Sequence, residues 1–422
     1  MDAARRSSGW DGEGSAHRRA TQAGAGAAVV DCAPLREPGR GHDRNSKRGS
    51  GSIPNLDLIM WSPRPPCGKC RLRYAAPVAS TGASRRTALI TGVAGQDGVY
   101  LARHLLSLGY HVVGTLRPGS RWAPTTLGRA YAYLDGVTLV DLDQRDHEGW
   151  AAVLEGLRPD EVYNLAGFTS VGASWGAAET VAEANGMAVL RMLEELIRFR
   201  DRHGWAPRFF QPSSSEMFGV TDQQPQTENT PHHPRSPYAA TKSFAHHLTV
   251  NYRESYGLFT ATGTLYNHES PLRPPHFVTR KISAAVAAIS LGQAESVTLG
   301  NLDVRRDWGF AGDYARAMHL VLQQDEPGDF IIATGVSRSL ADVLELAFAS
   351  VGISDLDAVV RQDPSLMRPA DVAELVGDPA KAREQLGWEP SVAFEDVIAH
   401  MVRVDVERLR SEREESAGYL LP

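Results

Sequence analysis

Tyr238 and Lys242 stand four residues apart in Tyr238-Ala239-Ala240-Thr241-Lys242, a spacing that sets a phenol and an ammonium on one face of a helix. A nearby cation favours phenolate, so the spacing predicts a tyrosine whose pKa is lowered towards neutrality and which can take a proton from a substrate hydroxyl. The same spacing also arises by chance on exposed helices. Shortly before it, Pro212-Ser213-Ser214-Ser215-Glu216 closes an apolar run that reads as a strand. Ser214 could share the substrate's proton with Tyr238 there. Glu216 is either a solvated loop carboxylate or a second base, able to take the proton of a carbon acid once oxidation has made an adjacent ketone.

A third constellation is the turn Thr91-Gly92-Val93-Ala94-Gly95-Gln96-Asp97-Gly98, with a strand before it and a helix after it. Glycines at 92, 95 and 98 permit a tight turn, close approach to a pyrophosphate and packing of helix on strand, so the turn predicts a dinucleotide site. After the second strand an acid would accept the ribose of NAD. Here Arg117 stands instead, in Leu116-Arg117-Pro118-Gly119-Ser120, and the expected cofactor is NADP. Asp141 and Leu142, after the third strand, are placed to meet the adenine, though an Asp there also suits a turn.

The elements that must hold these groups alternate along the chain. Strands are expected at Thr87–Thr91, His111–Thr115, Val137–Val140, Glu161–Leu165, Arg208–Gln211, Phe259–Leu265 and Asp329–Ala333. Helices are expected at Val99–Leu108, Trp150–Leu157, Ala177–Arg200, Tyr238–Tyr256, 276–291, 339–351 and 393–412. This order predicts an α/β fold, a Rossmann-like doubly wound parallel sheet with a smaller C-terminal substrate-binding region. The expected division is a basic extension over 1–85, an NADP-binding domain over 86–266, a mainly substrate-binding region over 267–412 with a strand near 329–333 returning to the sheet, and a tail over 413–422.

The chain has 422 residues, of which 42% are hydrophobic and 22% charged, with a net charge of −6. Mild acidity argues against a protein that coats nucleic acid. Apolar runs such as Ala284–Ile289 fall far short of the roughly 18–20 residues that cross a bilayer, so no membrane span is expected. Charge is uneven: residues 1–85 carry 14 basic and 7 acidic side chains, the remainder 30 and 43. The first part is rich in Gly, Ser, Arg and Pro and reads as disordered, an extension that could instead reflect translation starting at Met60. All three cysteines, Cys32, Cys67 and Cys70, lie there; they complete no zinc pattern, and no disulfide can brace the body. Without a convincing export signal the expected location is cytoplasmic. Adjacent histidines at 232–233 and 246–247 lack carboxylates at ligand spacing and read as surface residues, so no metal is expected.

From about Thr87 to Arg410 the body resembles the extended short-chain dehydrogenase/reductases, and among them the GDP-mannose 4,6-dehydratase family. The resemblance rests on the Gly-Gln-Asp-Gly turn, Tyr163-Asn164-Leu165-Ala166, Ser215-Glu216, Arg235-Ser236-Pro237-Tyr238, Asn267-His268-Glu269-Ser270-Pro271, Phe277-Val278-Thr279-Arg280-Lys281-Ile282, Gly300-Asn301-Leu302-Asp303, Arg306-Asp307-Trp308-Gly309 and Arg368-Pro369. It implies that GDP-mannose is oxidised at C4, loses water across C5 and C6, and regains the hydride at C6 to give GDP-4-keto-6-deoxymannose. Tyr238 would be the first base with Lys242 beside it, Ser214 would take the place of the family's threonine, and Glu216 would remove the C5 proton. Gln96, Asp97, Leu165, Thr169, Lys242, His268 and Arg273 would join the glycines, Arg117, Asp141 and Leu142 at NADP. Asn267, Lys281, Arg306 and Arg368 would hold the nucleotide diphosphate, arginines suiting that task by donating in pairs.

The chain departs from the family pattern in three places. Ser214 keeps the hydroxyl and drops a methyl. Gly167-Phe168-Thr169-Ser170 replaces Ala-Gln-Ser-His, which bears on sugar choice. One of two arginines after the second strand is missing, which bears on NADP and on assembly of a tetramer; a homodimer through the helices at 177–200 and 238–256 is expected, with a tetramer the larger alternative. A C4 epimerase, a 4-keto reductase or a dehydratase of another nucleotide sugar shares the Gly turn and the Tyr/Lys pair, but epimerase and reductase have no use for Glu216. A non-catalytic NADP-binding regulator would not need the Tyr/Lys pair.

Overall fold

The β-branched and aliphatic run Thr87–Thr91 forms strand β1, buried along almost its whole length as expected of a central strand clothed on both faces. The computed structural model describes residues 85–118, 133–366 and 372–421. After β1 come α1 (Gln96–Ser107), β2 (His111–Leu116), β3 (Thr138–Asp141), α2 (His147–Leu157), β4 (Glu161–Asn164) and α3 (Ala178–Ala182). A π-helical turn over Glu183–Met187 leads into α4 (Ala188–His203), followed by β5 (Arg208–Ser214), α5 (Pro237–Tyr256) and β6 (Thr260–Leu265). The second half contributes β7 (Asn267–Glu269), α6 (Val278–Ser290), β8 (Val297–Leu299), β9 (Arg305–Phe310), α7 (Ala311–Gln323) and β10 (Asp329–Ile332). It ends with β11 (Ser337–Ser339), α8 (Leu340–Ala349), α9 (Leu356–Val359), β12 (Val360–Gln362), β13 (Glu374–Leu375), α10 (Ala380–Leu386) and α11 (Phe394–Ser411).

Seven of these strands make one sheet in the order β10-β6-β5-β4-β1-β2-β3, and every neighbouring pair is parallel. The chain reverses its direction of progress between β1 and β4, so the carboxyl ends of those strands open the crevice where ligands bind in such sheets. All seven expected strands are in this sheet, and the late strand at 329–332 pairs with β6. One apolar core, including Val99, Leu105, Tyr314, Met318 and Met401, lies on the face covered by α1, α7 and α11. The other, with Trp150, Leu193, Phe199 and Tyr252, lies under α2, α4 and α5. Smaller sheets, β11-β9-β13 with β7 beside β9, and β12 with β8, form the remaining C-terminal part.

The structure differs from the sequence expectation in several respects. Helix α7 follows β9 with no loop and no side-chain cap on its first turn, so the usual start signal is absent. Arg306-Asp307-Trp308-Gly309, embedded in what reads as irregular chain, is strand β9. The single helix expected over 177–200 is broken by the π-turn. Residues 413–421 are not a loose tail: the Tyr100 hydroxyl donates to the Leu420 carbonyl at 2.8 Å, and His400 donates to that of Tyr419 at 3.0 Å. Residues 1–84 of the extension expected over 1–85, with the three cysteines among them, and Gly119, Ser120 and Arg368 lie outside the described residues.

Candidate active site

The cleft begins at the Gly turn. Gly92 has φ of +68°, and a Cβ there would lie 2.7 Å from the Ala166 Cα, so both conformation and space demand glycine. A Cβ on Gly98 would come within 2.6 Å of Val93, which lets α1 start flush against β1. The Thr91 hydroxyl donates to Asn164 at 2.8 Å and accepts the Ala166 N–H at 3.0 Å, tying the ends of β1 and β4 together. No side chain caps α1, whose first N–H groups therefore face the cleft mouth as an anion site. The cradle, the bare helix end and the position at the strand reversal suit a dinucleotide's pyrophosphate.

Gln96 and Asp97 reach across to the second half of the chain. Gln96 donates to the His268 carbonyl at 3.1 Å and accepts from the Ser270 hydroxyl at 2.8 Å. Asp97 lies 3.0 Å from Nε2 of His268, whose Nδ1 faces the Tyr266 carbonyl at 2.7 Å. Both ring nitrogens face acceptors, which requires a doubly protonated ring. Burial works against charge on both partners, but their mutual attraction wins: Asp97 is held well below the usual carboxylate range and His268 is raised. His268, stacked on Tyr314 with ring centres 4.5 Å apart, is thus engaged with protein on both nitrogens.

Ser214 ends β5, and its hydroxyl accepts the Glu216 N–H at 3.3 Å, fixing the short turn that carries the carboxylate. Helix α5 opens with Ser236 capping the Ala239 N–H at 3.1 Å and Pro237 in the first turn, a start signal written in the sequence. That start places Tyr238 at the cleft and Lys242 one turn deeper, its Nζ 5.9 Å from the phenol ring centre. Lys242 donates to the Pro212 carbonyl at 3.0 Å.

The electrostatics correct one expectation. Burial pushes the Tyr238 phenol up to about 12, outweighing the hydrogen bond from Ser214, while the Glu216 carboxylate adds to the rise. Burial also draws the Lys242 ammonium down to about 8. The phenol is therefore not brought towards neutrality by its lysine: the cost of burying phenolate dominates, and the ammonium is committed to a carbonyl.

The Glu216 carboxylate lies 3.9 Å from Nε of Arg306. Arg306 is 5% exposed, and its Nη1 donates to the carbonyls of Arg305 and Val372, both at 2.8 Å. The sequence reading assigns it to the diphosphate alone; the fold sets it beside the carboxylate. Arg273 lies 3.3 Å from buried Glu269 and 3.9 Å over the Phe277 ring. Lys281 is exposed and donates to the Thr298 carbonyl at 2.7 Å; Asn267 is half-buried on β7. Arg117 and Asp141 are exposed at the ends of β2 and β3, Leu165 is half-buried and Thr169 exposed on the loop after β4. Leu142 departs from its assignment: its side chain enters the core beside Trp150 and its N–H is taken by the Leu116 carbonyl at 2.8 Å, leaving Asp141 as the polar group at that edge.

The histidine pairs also depart from expectation. His233 and His247 are exposed, but His232 and His246 turn inward. His246 lies 2.9 Å from the Ser213 hydroxyl and His232 2.9 Å from that of Ser243, with the two rings 5.0 Å apart. Sequence reasoning missed these contacts and also Asn185, 4% exposed, which pairs with the backbone of Phe168. An Asn inside a helical stretch was the one signal available for it.

Comparison with known proteins yields a family model described as GDP-mannose 4,6 dehydratase, which matches residues 89–401. GDP-mannose 4,6 dehydratase 1 of Arabidopsis thaliana is 43% identical over 342 residues, covering 80% of this chain and 94% of its own length. GDP-mannose 4,6-dehydratase of Sinorhizobium fredii is 42% identical over 350 residues, covering 78% and 99%. Among solved structures, UDP-glucose 4-epimerase of Thermus thermophilus in complex with NAD aligns with a TM-score of 0.65 at 26% identity, covering 78% of this chain and all of that one.

Proposed function

The chain belongs to the GDP-mannose 4,6-dehydratase family, and from that premise we propose which of its side chains perform each part of the family's reaction. The activity is the conversion of GDP-mannose to GDP-4-keto-6-deoxymannose, a hydro-lyase reaction dependent on a pyridine nucleotide. A nicotinamide dinucleotide, held by the Gly turn at 92–98, would supply reversible hydride transfer between C4 and C6 and no other chemistry. Tyr238 takes the C4 hydroxyl proton, with Ser214 sharing it and Lys242 adding positive charge nearby. The C4 ketone acidifies the C5 hydrogen; Glu216 takes that proton and passes it to the C6 hydroxyl, which departs as water, and the proton held by Tyr238 goes to C5 when the hydride returns to C6. The observation that carries this assignment is the convergence of Ser214, Glu216 and Tyr238 at one strand end, with Glu216 turned towards Arg306 and adding to the rise of Tyr238.

The cofactor we assign is NADP, with Arg117 meeting the 2′-phosphate and the glycines at 92, 95 and 98 cradling the pyrophosphate. Asp97 and His268 serve it by joining α1 to β7. Leu165, Thr169 and Arg273 line its path. Asn267, Lys281, Arg306 and Arg368 hold the diphosphate of the substrate, Arg306 doing so next to the elimination base. The test is incubation with a panel of nucleotide sugars and either NADP⁺ or NAD⁺, followed by mass spectrometry: GDP-mannose with NADP⁺ is expected to lose one water. Loss of water from a different nucleotide sugar alone would refute the substrate, and equal rates with NAD⁺ would refute the role of Arg117.

Residues 86–266 serve the cofactor and 267–412 mainly the substrate. All described groups used here lie in residues 92–306, so a chain starting at residue 81 is expected to keep its turnover and melting temperature; a marked fall in either would give the first 80 residues a working role. A homodimer pairing the outer faces of α4 and α5 is favoured by Phe244 and Tyr256, 44% and 48% exposed on α5. Among the described residues no helix is long and apolar enough to cross a membrane. A cytoplasmic location suits a body free of cysteine.

A further inference from the structure

The buried residues of α5 include the small and polar Ala239, Ser243, Ala245 and Thr249, so the helix brings little bulky apolar surface to the sheet. Apolar contact is non-directional, and the height at which such a helix settles along the strands is set by directed polar contacts. Tyr238, Lys242 and His246 recur every fourth residue and so share one face. Lys242 donates to the Pro212 carbonyl at 3.0 Å. One turn further on, Nδ1 of His246 lies 2.9 Å from the hydroxyl of Ser213, which is 3% exposed. The two pins land on consecutive residues of β5, and the residue after them is Ser214.

His232 adds a second tie. It belongs to the segment that leads into α5 and lies along the turn bearing Glu216: the His233 N–H donates to the Met217 carbonyl at 2.9 Å, and a Cβ on Gly219 would strike the His233 carbonyl. The His232 ring meets Phe218 edge to face with centres 5.6 Å apart, and meets the His246 ring in the same way at 5.0 Å. Its Nδ1 is 2.9 Å from the Ser243 hydroxyl. Burial draws both imidazoles down to about 4, so both rings are neutral at pH 7. A hydroxyl can donate or accept, so each ring completes its bond in either tautomer.

We infer that His246 is a positioning residue for the dehydratase reaction: through the Ser213 hydroxyl, and backed by the His232 ring, it fixes the end of β5 against α5 so that Ser214 and Glu216 stay in place relative to Tyr238. The inference rests on the dehydratase reading of the site. Its reason is geometric. The base for the C4 hydroxyl comes from a helix and the base for C5 from a strand end, and both serve one sugar in succession. A shift of one against the other by about 1 Å can cost on the order of a hundredfold in rate. A single pin at Pro212 leaves the strand end free to swing; a second pin at the adjacent residue removes that freedom.

The test is a double-mutant cycle in the full chain, built from His246→Phe and Ser213→Ala, with His246→Gln as the conservative variant. Phenylalanine keeps the bulk of the ring and loses its nitrogen; glutamine keeps a polar group able to reach the hydroxyl. With GDP-mannose and NADP⁺, kcat of each single variant of the cycle is expected to fall by roughly ten- to a hundredfold, with KM changing much less. His246→Gln should regain about tenfold over His246→Phe, the worth of one hydrogen bond. The double variant should be no slower than the slower single one, since the bond can be lost only once. In the ligand-free chain, amide hydrogen exchange of Glu216 and Phe218 is expected to quicken in both single variants and to stay near the wild-type rate in His246→Gln. Unchanged kcat in His246→Phe, a Gln variant no better than the Phe variant, a double variant slowed by the product of the two single effects, or unchanged exchange would overturn the inference. Should His246→Phe fail to fold, Ser213→Ala carries the test: it removes one oxygen and leaves α5 intact, and wild-type turnover and exchange there refute the role. A wild type that does not dehydrate GDP-mannose would remove the reaction assigned above, while the exchange comparison would still decide whether His246 holds the strand end.

Discussion

Glu216→Gln stops the reaction halfway. With GDP-mannose and NADP⁺ the variant is expected to build up reduced nicotinamide, seen by its near-ultraviolet absorbance, while dehydrated product falls by about a thousandfold. The amide has the size of the carboxylate but no basic oxygen able to carry away the C5 proton. With Tyr238 as the proposed base, oxidation at C4 is expected to survive, leaving the hydride on the dinucleotide with no acceptor at C6. The substitution should leave the cleft standing: the contact to Arg306 is long, at 3.9 Å, and Arg306 keeps its two carbonyl partners. Affinity for NADP⁺ is accordingly expected to be unchanged. A variant that still released dehydrated product at the wild-type rate would show that another group is the elimination base.

Tyr238→Phe is expected to block the earlier step, so that neither reduced nicotinamide nor product forms, with a loss on the order of a hundred- to ten-thousand-fold. The ring is buried and its packing is kept; only the hydroxyl is lost. In the chain alone the phenol is held protonated up to about 12 by burial. It can become a base only when positive charge arrives close by, from the nicotinamide ring and from an ammonium that itself loses its proton at about 8. The two substitutions thus give opposite spectra, absorbance without product for one and nothing for the other. Reduced nicotinamide forming at the wild-type rate in Tyr238→Phe would show that a different group accepts the C4 proton.

Much of this site is legible in the sequence because its parts are short and local. The turn at 91–98, the strand end at 212–216 and the helix start at 236–242 each place their functional atoms by backbone geometry within a few residues. Strands such as β1 could be read because a buried parallel strand needs a short β-branched and apolar run, although β3 is half-exposed and β6 is rich in Thr. Helix α7 could not, since it opens without a capping residue directly after a strand. Leu142 shows the limit of motif reading: the pattern that places Asp141 at the rim sends the next side chain into the core.

The sequence alone determined the chemical groups, their order along the chain and the sheet they would flank, because periodicity, capping and glycine spacing act over distances of one or two turns. Only the tertiary structure decided that Asp97 pairs with His268, that Arg306 stands beside Glu216 and that Asn185 grips Phe168. Each of these joins separate segments, and no local rule sets such a distance. The same reason governs the proton affinities: burial is a property of the assembled fold, and it sends the Tyr238 phenol upward where its neighbour in sequence, Lys242, had promised the reverse.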